Sequence, residues 1–252
     1  MNMMRYPKVE GVFRRNEEHQ IIPEYKCPEF DLIKKFLMFE KVDGSNAQIK
    51  ISYPASLHDT GDELVAERKV VLEIFSRNRK LGIEDTSGRK IVNALNPVLN
   101  GVDLKQWYID SFVTPNVDNS EFVYPDVRFF GEAYGPGIQK RGKIYRKEGV
   151  SFILFDVHIG NTWLNWENVK EIGKKLNIPT VPEIMPIMII GTPELVFNSF
   201  KDMLTDYSTL LPDAPGGQLE GFILRPEPMI LNRHGQRLVF KIKRVDYGLE
   251  KE

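Results

Sequence analysis

Short apolar and alternating runs dominate the chain, with a few stretches of helical spacing between them. Phe36-Leu37-Met38-Phe39 is apolar throughout, and Ala47-Gln48-Ile49-Lys50-Ile51 alternates. Both read as strands, since alternation and aromatic content suit a pleated, half-buried surface. Between them lies Glu40-Lys41-Val42-Asp43-Gly44-Ser45-Asn46, so Lys41 is expected where a strand ends and a tight Asp-Gly hairpin turn begins. Further strands are predicted at Val70–Phe75, Val127–Phe130, Val150–Ile159, Leu219–Leu224 and Leu238–Ile242. Helical periodicity appears at Ile91-Val92, Leu95 and Val98-Leu99, limited or kinked by Pro97. Asn165 is positioned to cap a helix from Trp166 to about Leu176, with Val169, Ile172 and Leu176 on one face. Thr192-Pro193-Glu194 reads as cap and first turn of another. Residues 1–35 carry no clear repeat, and residues 53–69 read as a loop. Many antiparallel-looking strands with helices between them indicate an α+β fold rather than a parallel doubly wound sheet. With no repeat, low-complexity block or interdomain linker, residues 1–252 are expected to form a single domain.

Composition narrows the setting. The 252 residues, 42% hydrophobic and 27% charged, can bury a core without covalent staples. One cysteine, Cys27, excludes an internal disulfide framework and fits a reducing compartment, and the four histidines show no zinc spacing. No apolar run approaches the ~20 residues that span a bilayer, and no signal-peptide core opens the chain, so a cytoplasmic protein with no membrane partner is expected. The net charge of -1 gives no global attraction for nucleic acid, so a polyanion site has to be a local patch.

Candidate chemistry collects at strand ends, where side chains are held but accessible. Besides Lys41, these positions are Arg77 after Phe75-Ser76, Glu132 in Phe130-Gly131-Glu132, Phe155 and Asp156, Glu220 in Leu219-Glu220-Gly221, and Lys241 and Lys243 about Ile242. Singly, each fits a solvated strand end, a turn or core packing. As a set they support nucleotidyl transfer, which needs an in-line nucleophile, positioning and charge neutralisation. An amine buried beside an apolar strand is a usable nucleophile, as Lys41 would be. Glu220 and Glu132 are hard oxygen donors suited to Mg²⁺ or Mn²⁺, Arg77 can fork onto a phosphate or ribose oxygen, and Phe155 offers a flat face to a purine.

The ordered set K-x-D-G, arginine after a strand, F-G-E, aromatic-Asp strand, E-G-x-x-x-[KR] and K-x-K resembles the covalent nucleotidyltransferase superfamily of DNA and RNA ligases and mRNA capping enzymes. Asn46, where many DNA ligases and capping enzymes place an arginine, and Gly135-Pro136-Gly137-Ile138-Gln139-Lys140 look like ATP-dependent RNA ligases of the RNA ligase 2 type. The resemblance implies a nucleotidyltransferase domain of twisted, largely antiparallel sheets flanked by helices, with a nucleotide cleft between them. It implies that Lys41 attacks the α-phosphorus of ATP to form a lysyl–AMP adduct, with a divalent metal, Mg²⁺ or Mn²⁺. AMP would pass to a 5′-phosphate RNA end, and a 3′-hydroxyl would displace it, as in RNA repair. Glu132 would bind ribose hydroxyls, Arg77 the ribose or an RNA phosphate, and Phe155 the adenine. Glu220 would serve the metal, Lys241 and Lys243 the α-phosphate, and Glu40 and Asn46 would add supporting contacts to the nucleotide, while Asp43 fixes the loop.

One departure stands out. The family carries a further domain after K-x-K, whereas nine residues follow Lys243 here. A minimal ligase without a C-terminal accessory domain, a protein relying on an accessory partner for that module, and a truncated relative stay open, as do a DNA ligase or guanylyltransferase core and an inactive RNA-end- or nucleotide-binding relative. The basic stretch Lys140–Lys147 reads either as a solvated hairpin loop or as an RNA phosphate patch with Tyr145 available to stack.

Overall fold

The computed structural model describes residues 4–53, 70–82, 88–101, 103–113, 124–211, 213 and 217–249. In chain order these form β1 (Glu10–Gly11), β2 (Phe13–Arg15), β3 (Ile21–Tyr25), one-turn α1 (Glu29–Leu32), β4 (Lys35–Lys41), β5 (Ser45–Ser52), β6 (Val71–Ser76) and β7 (Lys80–Leu81). Then come α2 (Arg89–Gly101), α3 (Leu104–Phe112), β8 (Val127–Tyr134), one-turn α4 (Gly142–Tyr145), β9 (Ser151–Ile159), β10 (Thr162–Trp163) and α5 (Trp166–Lys175). The last elements are β11 (Glu183–Met188), α6 (Pro193–Asp206), β12 (Gly221–Pro226), β13 (Phe240–Lys243) and a 3₁₀ turn, Arg244–Tyr247. The α+β class holds. The expected loop lies, from residue 54 to residue 69, outside the described residues.

The chain divides into two compact units. The first comprises Met1–Tyr6, Gly44–Lys143 and Glu148–Thr180, and the second Pro7–Asp43, Ile144–Lys147 and Val181–Glu252. The first is built on a six-stranded sheet in the order β10-β9-β8-β5-β6-β7, with every neighbouring pair antiparallel. Helix α2 packs on β8 and β9, α5 on β9 and α3 on β5. Strand β5 is not half-solvated, as its alternation suggests. Ala47, Ile49 and Ile51 are buried on one face, and Gln48 and Lys50 are buried on the other. Lys50 tolerates this because its ammonium meets Asp126 at 3.1 Å and Glu73 at 3.5 Å.

Helix α5 starts as predicted: the Asn165 side chain accepts the Asn168 N–H at 2.9 Å, and Trp166, Val169 and Gly173 are buried. Glycine suits position 173 because a Cβ there would lie 2.7 Å from Thr180 Cγ2. Helix α2 runs through Pro97. Helix α3 was not predicted, although Asp103 caps Gln106 N–H and Leu104, Trp107 and Tyr108 bury at helical spacing.

The second unit holds a five-stranded sheet in the order β1-β13-β12-β4-β11, with β1 parallel to β13 and the other pairs antiparallel. A β2–β3 hairpin accompanies it. Phe36, Met38, Phe222, Leu224, Phe240 and Ile242 from the sheet pack with Val196, Phe200 and Leu204 of α6. Each such side chain contributes roughly 1.5–3 kcal/mol on burial. Helix α6 begins as read, with Thr192 as cap and Pro193 in the first turn.

One expectation about the central heptapeptide is corrected. β4 and β5 do not form a hairpin, since β4 pairs with β11 and β12 while β5 pairs with β6 and β8. Val42–Gly44 is a crossover between sheets. Gly44 is required by close approach: a Cβ there would sit 2.3 Å from the Ala133 carbonyl and 2.7 Å from Glu132 Cγ.

Candidate functional site

In the second unit, three registered strands assemble a cationic cluster around one acid. Gly221 on β12 pairs with Lys41 at the end of β4 on one side and with Lys243 on β13 on the other. Glu220 immediately precedes β12 and reaches both lysines. Lys41 Nζ donates to Glu220 Oε2 at 2.5 Å, and Lys243 Nζ lies 3.1 Å from Oε1. The Glu220 side chain is 8% exposed, against 21% for Lys41 and 32% for Lys243. Its backbone is gripped from both sides: its N–H donates to the Tyr145 hydroxyl at 2.7 Å, and its carbonyl accepts from Arg244 N–H at 2.8 Å.

Lys241 occupies the next outward-facing position on β13, and its ammonium makes no hydrogen bond or ion pair with the described residues. Burial, reinforced by Lys243 and Lys41, holds it below the usual lysine range. Glu40, one residue before Lys41, is 1% exposed. It accepts from the Thr209 hydroxyl at 2.5 Å and from Leu210 N–H at 2.8 Å. Burial pushes its carboxyl above the usual range, against the lowering effect of those two bonds.

In the first unit the remaining predicted residues share one end of the six-stranded sheet. Asn46 on β5 pairs directly with Glu132 on β8. Arg77 is exposed and directly follows Ser76, the last residue of β6, which pairs with Ala47. Phe155 is the extra residue of a bulge, because Phe130 pairs with Asp156 and Gly131 with Leu154. A bulge re-aims the side chain it carries, and Phe155 is the half-exposed member of an otherwise buried run. Tyr6, not singled out by the sequence, meets Phe155 edge-on at 5.0 Å and donates to Asp156 Oδ2 at 2.7 Å.

The basic stretch departs from its readings in two points. It contains the turn α4 rather than a hairpin, and Tyr145 is fully buried beneath Glu220, so it offers no stacking face. Arg146 pairs with Asp213, while Lys140, Lys143 and Lys147 are exposed.

The RNA ligase family model matches residues 34–243, most of the chain. This chain belongs to the RNA ligase family. The match runs across both units and takes in every predicted site residue from Glu40 to Lys243. Among solved structures, a lysine-to-alanine mutant of Naegleria gruberi RNA ligase with ATP and Mn is 17% identical, with a TM-score of 0.56 over 95% of this chain and 60% of that one. Naegleria gruberi RNA ligase with PPi is 18% identical, with a TM-score of 0.56 over 98% of this chain and 61% of that one. A lysine-to-methionine mutant with AMP and Mn gives 17% and 0.56, over 95% and 60%. This chain spans about three fifths of the length of the chains it matches. No curated protein matches it.

Within this RNA ligase fold, no group of three or more His, Cys, Asp or Glu side chains converges among the described residues. The lone Glu220 between lysines fits a hard cation that keeps its waters and arrives with substrate phosphates, as Mg²⁺ commonly does. Among the described residues no helix is long and apolar enough to cross a membrane.

Proposed function

We propose that this chain is an ATP-dependent RNA ligase of the RNA ligase 2 type, with Lys41 as the nucleophile and residues 1–252 acting as one nucleotidyltransferase domain. Lys41 Nζ attacks the α-phosphorus of ATP, the bond to pyrophosphate breaks, and a lysyl–AMP phosphoramidate forms as the amine gives up a proton. We assign Glu220, 2.5 Å from that nitrogen, as the group that takes it. Lys241 and Lys243 stabilise charge on the α-phosphate. AMP then passes to a 5′-phosphate RNA end, and a 3′-hydroxyl displaces AMP to seal the strand. Glu132 takes the ribose hydroxyls, Arg77 the ribose or an RNA phosphate, and Phe155 the adenine face, with Asn46 supporting. Glu40 holds Thr209 and Leu210 and acts as a positioning residue. Mg²⁺ or Mn²⁺ held by Glu220 with water and substrate phosphates would supply neutralisation of phosphate charge.

The observation that carries this reading is the pairing of Lys41 and Lys243 about Gly221, with both amines on one carboxylate. The solved relatives held with ATP, AMP, Mn and PPi support the choice of nucleotide and metal. Incubation with labelled ATP and Mg²⁺ or Mn²⁺, followed by peptide mapping, tests it. Label is expected on the Lys41 peptide and absent from Lys41→Ala. Label that persists in that variant overturns the mechanism. Label from GTP instead indicates capping chemistry, and sealing of nicked DNA but not nicked RNA indicates a DNA ligase.

A further inference from the structure

The strand that carries Lys241 and Lys243 continues its alternation for one more residue. Phe240 and Ile242 are buried in the core, the two lysines are half-buried on the other side, and Arg244 falls back on the core side at 5% exposure. A guanidinium there needs acceptors, because a buried charge without hydrogen bonds is costly. It finds them on two main-chain carbonyls. Its Nη1 donates to Leu204 O in the last turn of α6, and its Nε donates to Leu249 O at 3.1 Å. The last carbonyls of a helix have no partner within the helix and carry its negative dipole end, which suits a cation. The main chain of Arg244 is tied as well: its N–H donates to Glu220 O at 2.8 Å, and its carbonyl accepts from Leu249 N–H at 3.3 Å. One residue thus joins α6, the 3₁₀ turn, the end of β13 and the residue that carries the carboxylate of the lysine cluster.

We propose that Arg244 is a positioning residue for adenylyl transfer: its guanidinium clamps the end of β13 and through that clamp holds the Glu220 carboxylate between Lys41 and Lys243. The inference rests on the Lys41 chemistry proposed above. Glu220 has two main-chain tethers, the Tyr145 hydroxyl on its N–H and the Arg244 N–H on its carbonyl. The second tether is only as fixed as the peptide between Lys243 and Arg244. That peptide lies where the β12–β13 ladder ends, beside the Gly221–Lys243 pair, and ladder ends open more readily than their centres. The guanidinium closes this end by bonding carbonyls of two separate segments through one planar fork, which the point charge of an ammonium does not reproduce. The same peptide carries Lys243, so a loosened Arg244 displaces both members of the Glu220–Lys243 pair, now 3.1 Å apart. Arg244 itself lies on the core side of β13, so its effect on the reaction runs through Glu220 and Lys243.

Arg244→Met and Arg244→Lys in the full chain test the assignment. Lysine keeps the charge but gives up the fork, so it is the milder change and serves where Arg244→Met does not fold. Two readouts are taken well below each variant's melting temperature. The first is adenylylation with labelled ATP and Mg²⁺ or Mn²⁺. Its rate at saturating ATP is expected to fall about tenfold or more in Arg244→Met, and by less in Arg244→Lys. The half-saturating ATP concentration is expected to stay within about twofold of wild type. The second readout needs no nucleotide: the chain is trace-acetylated and its peptides are weighed. Lys41 and Lys243 are expected to acetylate severalfold faster relative to exposed Lys140, because their amines are released from Glu220. Folded variants that adenylylate at the wild-type rate overturn the proposal, however much stability they lose. Slower adenylylation with Lys41 and Lys243 acetylated as in wild type also overturns it, because the effect then bypasses Glu220. A wild-type chain that takes no label at Lys41 overturns the Lys41 chemistry, and the acetylation ratio still decides whether Arg244 holds the Glu220 pairs.

Discussion

Replacing Tyr145 by phenylalanine removes one oxygen from directly beneath Glu220. The hydroxyl accepts the Glu220 N–H at 2.7 Å inside the protein, and Tyr145 is 0% exposed, so water cannot substitute for it. A buried N–H left without a partner costs about 1–3 kcal/mol. For a chain of this size each kcal/mol moves the melting temperature by roughly 2–4 °C. Tyr145→Phe is therefore expected to melt roughly 2–12 °C lower, and urea unfolding should show the loss as a lower midpoint at constant slope. Because the same backbone carries the carboxylate that binds Lys41 and Lys243, the adenylylation rate at saturating ATP should also fall, by about tenfold if about 1.4 kcal/mol of the cost is expressed as displacement of Glu220. The half-saturating ATP concentration should change less than the rate. A variant that loses stability but adenylylates at the wild-type rate would show Tyr145 to be core packing alone. One unchanged in both would refute the reasoning that this bond holds Glu220 in place.

Other perturbations probe the same architecture. Gly221→Ala places a Cβ 2.0 Å from the Ile242 carbonyl, so β12 and β13 must separate. A loss of about 1–3 kcal/mol in urea unfolding and a disproportionate fall in adenylylation are expected, and wild-type values for both would count against the register. Glu40 has a folded-state pKa raised by burial, so it takes up protons more readily when folded, and its contribution to stability is lost as pH rises through that raised value. Glu40→Gln should therefore gain stability relative to wild type as pH rises above the ordinary carboxylate range, and a difference independent of pH in thermal melts would contradict the burial argument. Neutralising Lys140, Arg141 and Lys143 should reduce the salt slope of RNA binding by about 0.7 for each phosphate no longer neutralised, and an identical slope would remove RNA from that stretch.

The parts of the fold set by local chemistry were legible in the sequence. Asn165 and Thr192 cap helices where their side chains can reach free N–H groups two or three residues on, and that information is local. β1 to β3 escaped notice because they are two to five residues long, too short for alternation to register. The Asp43-Gly44 pair misled for a physical reason: the dipeptide favours a hairpin, but the pairing of β4 with β12 and of β5 with β8 is non-local and decided the outcome. Lys50 misled in the same way, since alternation reports a polar face and not whether Asp126 and Glu73 will cover it. The predicted site residues were recognisable by type and order. Tyr145, Thr209 and Tyr6 were not, because what they do is hold another residue, and that depends on partners far apart in sequence.

The spacing of the lysine and glutamate motifs follows from a single strand register. Neighbouring strands lie about 4.7–4.9 Å apart, so lysines on the two strands flanking β12 have backbones roughly 10 Å apart. Two long side chains can meet one carboxylate across that distance only if the residue between them projects nothing into the gap. Gly221 is that residue, paired with Lys41 and Lys243 at once, and Glu220 enters from the preceding position. A shift of β12 by one residue would set Phe222 between the lysines and turn every β12 side chain to the opposite face. The buried Phe222 and Leu224 forbid that shift, because their place in the core beside Phe36, Met38 and Phe240 fixes the strand. The hydrophobic side of β12 thus determines where the charges on its other side meet, and a lysine, a glutamate–glycine pair and a second lysine, far apart in the sequence, become one charged cluster.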